Sequence, residues 1–121
     1  METSTNQLLL QFKALADPIR ARLVALCSVA ECSVSELTTI TGQSQPRISQ
    51  HVKQLCDVGL LERFKDGHFV YYRVRFSGDG AATRRRLLAL LPNDEPQFDK
   101  DTKKLREIRR RRRHRGRGLK E

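Results

Sequence analysis

The amino-acid sequence predicts a mainly α-helical domain that carries one β-hairpin, and two observations support this fold class. First, only Gln43 and Ser44 separate two short amphipathic segments, so two helices must cross steeply at this point. Second, two β-prone runs, LLERFK and HFVYYRVRF, are joined through Asp66 and Gly67, a pair that accepts the positive φ values of a tight turn. Together they predict a winged helix-turn-helix with five helices, a wing and a helical dimer interface.

The first three helices are predicted from apolar spacing and from capping residues. Residues 5–15 place four apolar side chains on one face, namely Leu8, Leu9, Phe12 and Leu15. In so small a chain, a second subunit can supply the surface that covers this face. Pro18 starts the second helix, because Asp17 can cap it and proline loses no hydrogen bond in a first turn. A capping box of Ser33 and Glu36 starts the third helix, which Gly42 ends.

The fourth helix, residues 44–59, is the segment around which the chain is organised. Ile48, Val52 and Leu55 recur at helical spacing and form its buried side. Its other faces carry short and medium-length polar side chains, which reach base edges and phosphates when a helix lies in a DNA major groove. The predicted DNA-contacting residues of this helix are Ser44, Gln45, Arg47, Ser49, Gln50, His51 and Lys53.

Within this set, Arg47 is the strongest candidate, because an arginine fork can bind guanine through two hydrogen bonds and discriminate by roughly 1–3 kcal/mol. Ser44 is equally well explained as a helix cap. His51 can contact DNA or bond a neighbouring side chain, and the adjacent polar residues favour DNA. Lys65 and His68 flank the hairpin tip, where a cation can touch phosphate or enter a minor groove.

The fifth predicted helix, residues 81–91, is rich in leucine and ends at Pro92. It has more leucines than one small core needs. We therefore predict that it packs with the first helix across a two-fold axis in a homodimer. Residues 1–92 are thus predicted to form a DNA-binding and dimerisation domain, and residues 93–121 a linker and a basic tail.

The charge of the chain is concentrated in that tail. The formal net charge is +10, and residues 99–121 hold 12 of the 24 Lys and Arg but only 4 of the 14 Asp and Glu. Residues 93–98 are predicted to be a linker; residues 100–113 could form a helix, but five consecutive arginines, 109–113, repel one another. The tail is therefore expected to be disordered or partly helical. It is either a phosphate-binding arm that does not select sequence or a solubilising extension.

Several classes of protein are disfavoured by the sequence. No apolar run reaches the ~20 residues that span a bilayer, and residues 1–11 lack the pattern of a signal peptide, so we predict a cytoplasmic protein that is nucleoid-associated when bound to DNA, with no membrane partner. No P-loop, GxSxG or HExxH motif occurs, so we predict no enzyme activity and no cofactor. Three cysteines, an odd number, indicate reduced thiols.

The segments LADPIRARLVALC and ECSVSELTTITGQSQPRISQHVKQLCDVGLLERFKDGHFVYYRV resemble the ArsR-type (ArsR/SmtB) winged-helix repressors. The resemblance covers residues 15–74 and, more loosely, residues 8–91. It implies a bacterial homodimer that binds a double-stranded operator near its own promoter and leaves when an effector binds.

The sequence departs from that family at its sensor positions. Where arsenic- and metal-sensing members carry a Cys-x-Cys pair, this chain has Ser33 and Ser35, and hydroxyls are poor ligands for soft ions. The fifth helix also lacks the Asp and His of zinc-sensing members, so no metal site is predicted. Cys27 matches the first cysteine of the thiol-sensing members, and Cys32 could replace its missing partner. Alternatively, Cys27 and Cys56 are small buried side chains, and Cys32 is the best candidate for an exposed thiol.

Two hypotheses of different class remain. The first is a homodimeric repressor that reads an inverted-repeat operator and is released by an unidentified effector, with thiol oxidation, persulfide or another non-metal signal as candidates; a variant of it senses nothing. The alternative is a protein that binds nucleic acid without sequence preference through its basic tail.

Overall fold

The computed structural model describes the backbone of residues 3–120 and the side chains of residues 3–113. The elements in chain order are α1 (Thr5–Leu15), α2 (Pro18–Val29), α3 (Val34–Thr41), α4 (Gln45–Asp57), β1 (Leu61–Asp66), β2 (Phe69–Val74), α5 (Ala81–Ala89) and α6 (Pro96–Lys120). The predicted winged helix-turn-helix is confirmed, and α6 is a sixth helix beyond the five that were predicted. Within residues 3–120, no helix has the length and apolarity to cross a bilayer.

The predicted helix starts are confirmed by their capping contacts. Ser33 Oγ accepts a hydrogen bond from the N–H of Glu36 at 3.1 Å, and Glu36 Oε1 accepts one from the N–H of Ser33 at 2.9 Å. Asp17 Oδ2 accepts from the N–H of Arg20 at 2.9 Å. At the end of α3, Gly42 has a φ of 72°, a conformation that side chains rarely adopt.

One apolar core joins α2, α3 and α4 to the hairpin. The predicted buried side of α4 is confirmed, since Ile48, Val52 and Leu55 are at most 1% exposed. They pack with residues from the two preceding helices, among them Leu23 and Leu37. Because these side chains lock α4 against the core, its polar faces point away from the core.

The hairpin is antiparallel and its turn is one residue later than the sequence indicated. Asp66 pairs with Phe69, so Gly67 and His68 form the two-residue loop, and Gly67 takes the positive φ of 62°. Side chains alternate across the two strands. Tyr71 is buried and Tyr72 is half-buried, in keeping with this alternation.

A buried arginine joins the hairpin to α5. Arg84 is 1% exposed, and its guanidinium donates to the carbonyl oxygens of Arg75, Ser77 and Asp79. Burial lowers the pKa of this side chain, and the neighbouring Arg75 lowers it further. Arg84 therefore fixes the loop that precedes α5. The helix itself ends at Ala89, two residues before the predicted end, and continues as a turn.

Helix α6 starts at Pro96, inside the predicted linker, and packs on α2 and α3. Leu105 is completely buried in the core of the domain, and Ile108 packs beside it. At the start of the helix, Arg22 of α2 binds Asp101 through two hydrogen bonds of 3.0 Å, and Gln97 donates a third to Asp101 at 2.9 Å. The described part of α6 is thus attached to the domain by apolar and ionic contacts.

We predict that Asp101→Asn lowers the free energy of unfolding by about 2–4 kcal/mol, because it leaves the charge of Arg22 without its buried partner. Urea denaturation followed by circular dichroism measures the change. Asp99→Asn, an exposed site on the same helix, is the control and should change stability by less than about 0.5 kcal/mol. Equal effects of the two substitutions would contradict a stabilising role for the ion pair.

Candidate nucleic-acid interface

Helix α4 presents a polar, solvent-exposed surface that begins at its first turn. Ser44 caps the helix by accepting from the N–H of Arg47 at 3.4 Å, and Pro46 occupies the first turn. Six of the seven residues predicted to contact DNA from this helix are exposed, namely Ser44, Gln45, Arg47, Ser49, Gln50 and Lys53. This surface therefore offers a guanidinium, an ammonium, two amides and two hydroxyls, which suit phosphate oxygens and base edges.

Lys53 at the far end of that surface is paired within its own helix. Its ammonium lies 3.1 Å from the carboxylate of Asp57, one turn later. Both side chains are well exposed, at 76% and 61%. Such pairs contribute less than about 1 kcal/mol in water, so a phosphate can replace Asp57 as the partner of Lys53.

His51 differs from the other six because it is half-buried against α2. Its Nδ1 lies 3.4 Å from Nη1 of Arg20, which also donates to Gln54 Oε1 at 2.9 Å. Arg20 Nε donates to the carbonyl oxygen of Ala14 at 2.6 Å. Arg20 therefore ties the end of α1 and the middle of α4 to α2, and His51 lies at that junction. This role of Arg20 was not predicted, because nothing in the local pattern indicates contacts over 31 and 34 residues.

The surroundings of His51 favour its neutral form. Burial lowers its pKa from the ordinary 6.5; the carboxylate of Asp17 opposes this shift, and the charges of Arg20 and Arg47 add to it. A neutral imidazole can accept the Arg20 hydrogen bond through Nδ1, whereas a protonated one would present a second positive charge to Arg20. Contact of His51 with DNA stays a prediction.

The wing carries two predicted contact residues and a further cation. Lys65 and His68 are both exposed beside the turn. Arg73 lies over the ring of Phe64 at 4.2 Å and pairs with Glu62 at 2.7 Å, which stiffens the outer surface of the hairpin. Arg73 and Glu62 thus brace the base of the hairpin, and Lys65 places an exposed ammonium near its tip.

The exposed apolar surface lies on α1, and Leu90, just after α5, is also exposed. Leu9, Leu10 and Phe12 of α1 are 45–57% exposed, and Leu90 after α5 is 71% exposed. The expectation that the leucines of the fifth helix exceed the needs of the core is wrong for Leu87, which is buried in it, and for Leu88 and Leu91, which pack against it. Two members of the predicted stripe, Leu8 and Leu15, instead pack against the core. Gln11 takes the buried position next to them because its Nε2 donates to the carbonyl oxygen of Val58 at 3.0 Å. The exposed leucines and phenylalanine are thus available to a second subunit.

The prediction that Cys32 is the exposed thiol is wrong. Its backbone pairs with Tyr72 through hydrogen bonds of 2.9 and 2.8 Å, and this short bridge turns the side chain inward, where it is 0% exposed. Cys27 is also buried, as the alternative interpretation predicted, and Cys56 is half-buried. A hydrogen bond with Cys32 and burial both raise the pKa of the Cys27 thiol, which disfavours the reactive thiolate.

Ser33 and Ser35, the two serines expected at the positions of metal-binding cysteines, differ in what they do. Ser33 caps α3, and Ser35 is exposed on its first turn. Among the residues that the structure describes, no three His, Cys, Asp or Glu side chains are grouped as a metal site would require.

Comparison with known proteins identifies related regulators. The family model described as "Bacterial regulatory protein, arsR family" matches residues 17–63. The arsenic resistance transcriptional regulator ArsR1 of Pseudomonas putida is 45% identical over 64 residues, which are 52% of this chain and 50% of that protein. The transcriptional regulator YgaV of Escherichia coli is 32% identical over 78 residues, which are 62% of this chain and 77% of that protein.

A solved structure with the same architecture is a homodimeric winged helix-turn-helix DNA-binding domain from Mycobacterium bovis, a possible ArsR-family transcriptional regulator. The similarity has a TM-score of 0.60 at 30% identity and covers 70% of this chain and 74% of that one. The chain spans only about half the length of its arsenic-resistance relative.

We predict that the wild-type protein loses more stability than His51→Gln when the pH falls from 7.5 to 5.5. In the folded protein the pKa of His51 lies below its value of about 6.5 in the unfolded chain. Between these two values the unfolded chain binds more protons than the folded protein, so lowering the pH lowers the free energy of unfolding. Glutamine can still accept from Arg20 but does not titrate. Urea midpoints of both proteins across this range measure the difference, and parallel curves would contradict a neutral His51.

Proposed function

The chain belongs to the ArsR family of bacterial regulatory proteins, and from this premise we propose that it is a homodimeric transcriptional repressor that reads an inverted-repeat operator. The observation that carries the proposal is the exposed polar surface of α4, which lies within the segment that matches the family model. We infer a cytoplasmic protein, associated with the nucleoid when bound to DNA.

In this proposal, α4 lies in the major groove, where some of its residues contact bases and others contact phosphates. Arg47 and Gln50, exposed near the N-terminal end of the helix, read base edges, Arg47 preferring guanine and Gln50 adenine. Gln45 and Ser49 lie beside them and contact bases or sugar-phosphate. Lys53 exchanges Asp57 for a phosphate. Ser44 holds the helix N-terminus, whose free N–H groups attract phosphate.

The wing supplies contacts outside the major groove. Lys65 and His68 lie at the tip of a hairpin that follows α4 directly and packs on it. A cation there binds phosphate or enters the adjacent minor groove without distinguishing all four base pairs. These contacts add affinity and fix the orientation of α4.

The homodimer places two copies of α4 on one face of the DNA. The exposed apolar side chains of α1, with Leu90 just after α5, form its interface in this proposal, and the related domain from Mycobacterium bovis is homodimeric. A two-fold axis through that interface gives an inverted repeat with half-sites about 10–10.5 base pairs apart.

The effector that releases the repressor is proposed to be something other than a soft metal ion. Ser33 and Ser35 offer hydroxyls where thiolates would be needed, and Ser33 is engaged in capping α3. Sensing through Cys27 and Cys32 would require the core to open, because both thiols are buried. A non-metal signal therefore fits the described residues better.

A second candidate function has one observation in its favour. Four arginines of α6, at positions 109, 110, 111 and 113, are exposed and suit binding to nucleic acid of any sequence. Under that alternative, neutralising these arginines would remove nearly all binding, whereas a repressor would keep its operator preference.

We predict that the double substitution R47A/Q50A abolishes sequence-specific binding and leaves the dimer folded. Two base contacts in each protomer are lost, and each is worth roughly 1–3 kcal/mol, whereas neither side chain belongs to the core. Footprinting on a selected operator measures the loss, and sedimentation and circular dichroism check the dimer. K53A is the control and should weaken binding to all DNA sequences alike. A footprint unchanged by R47A/Q50A would rule out α4 as the reading helix.

A further inference from the structure

Arg112 docks the arginine-rich end of α6 at a defined place on the domain. Its Nη1 lies 3.2 Å from Glu31 Oε1, its Nη2 donates to the carbonyl oxygen of Glu31 at 3.0 Å, and its Nε lies 2.6 Å from Glu36 Oε2. The side chain is only 17% exposed, unlike those of its neighbours. One arginine out of five in a row therefore serves as an anchor.

The anchor point lies against the wing. The guanidinium carbon of Arg112 is 5.0 Å from the centre of the Tyr71 ring on β2. The Tyr71 ring is in turn 6.2 Å from that of Phe69, the residue that follows the hairpin turn. Two ring contacts thus connect the arginine-rich end of α6 to the wing tip.

The other arginines around the anchor face solvent. We call them the distal arginines; they are Arg109, Arg110, Arg111 and Arg113. Glu107 pairs with Arg110 at 3.5 Å and with Arg111 at 3.6 Å, and these side chains are 46–72% exposed. Pairs this exposed are weak, so phosphates can replace Glu107 at little cost.

We propose that α6 is a second DNA-contacting element, held beside the wing by Arg112 so that the distal arginines bind phosphates of duplex DNA next to those that the wing contacts. This inference rests on the proposed function, because it places the wing on an operator. It differs from a flexible basic tail in one respect: the contacts occur at a fixed distance from the wing, on DNA that extends past it.

The test measures the salt dependence of operator binding on two duplexes. The variant R109Q/R110Q/R111Q/R113Q replaces the four distal arginines. The short duplex contains only the base pairs that this variant protects. The long duplex extends it by about one helical turn of ~10 base pairs at each end. Each phosphate contact adds about 0.9 to the slope of log K against log salt.

We expect the wild-type protein to show a slope steeper by about 2 or more on the long duplex than on the short one, since a dimer carries two arms. The four-arginine variant should show equal slopes on both. The control, K100Q/K103Q/R106Q, removes three exposed charges from the first half of α6 but leaves the hydrogen bond from Lys104 to the carbonyl oxygen of Ile40 in place, and it should keep the wild-type difference. Equal loss in both variants would overturn the proposal, because net charge alone would then explain binding.

The variant E31Q/E36Q tests the anchor itself. It removes two negative charges, which by charge alone would strengthen DNA binding, and a glutamine in place of Glu36 still suits the capping box of α3. If Arg112 holds α6 in place through Glu31 and Glu36, this variant should instead bind the long duplex less well, and the difference in slope between the two duplexes should disappear. A difference that persists would overturn the docked arm in favour of a flexible tail. Loss of all sequence preference by the wild-type protein would instead contradict the proposed function.

Discussion

The burial of one side of α4 is the constraint on which the remaining structure depends. Ile48, Val52 and Leu55 are removed from water completely or almost so, and together they contribute several kcal/mol of stability. Rotation of the helix by a third of a turn would expose them and bury charged side chains instead. The same contacts that fold the domain therefore determine which side chains of α4 face outward. Core packing alone is enough to expose the recognition surface.

Charged side chains attach the outer elements to this core. Arg20 fixes α4 to α2, Arg84 fixes the loop after the wing, and Asp101 and Arg112 fix α6 to α2 and α3. Each of these side chains makes hydrogen bonds to a charged partner, an amide or backbone carbonyls, which lowers the cost of burying its charge. Helix α6 shows why such contacts matter: a run of arginines that repel one another is compatible with a helix when one of them meets two carboxylates.

The sequence was sufficient to predict those features that depend on residues close together in the chain. The capping box of Ser33, the glycine after α3 and the turn at Gly67 each act within a few residues, so the helix-turn-helix, the wing and the exposed surface of α4 could be predicted. It was insufficient where contacts are distant. Arg112 meets Glu31 across 81 residues, and Cys32 is buried by a bridge to Tyr72 that no local pattern encodes. The half-buried position of His51 depends likewise on Arg20.

The most direct test of sequence reading by α4 is an unbiased selection of random duplex fragments by the purified full-length protein at near-physiological salt. We expect enrichment of one two-fold symmetric site whose half-sites lie about 10–10.5 base pairs apart, matching two copies of α4 in successive major grooves. Recovery of fragments with no shared motif, although the protein is folded and dimeric, would contradict the claim that α4 reads sequence.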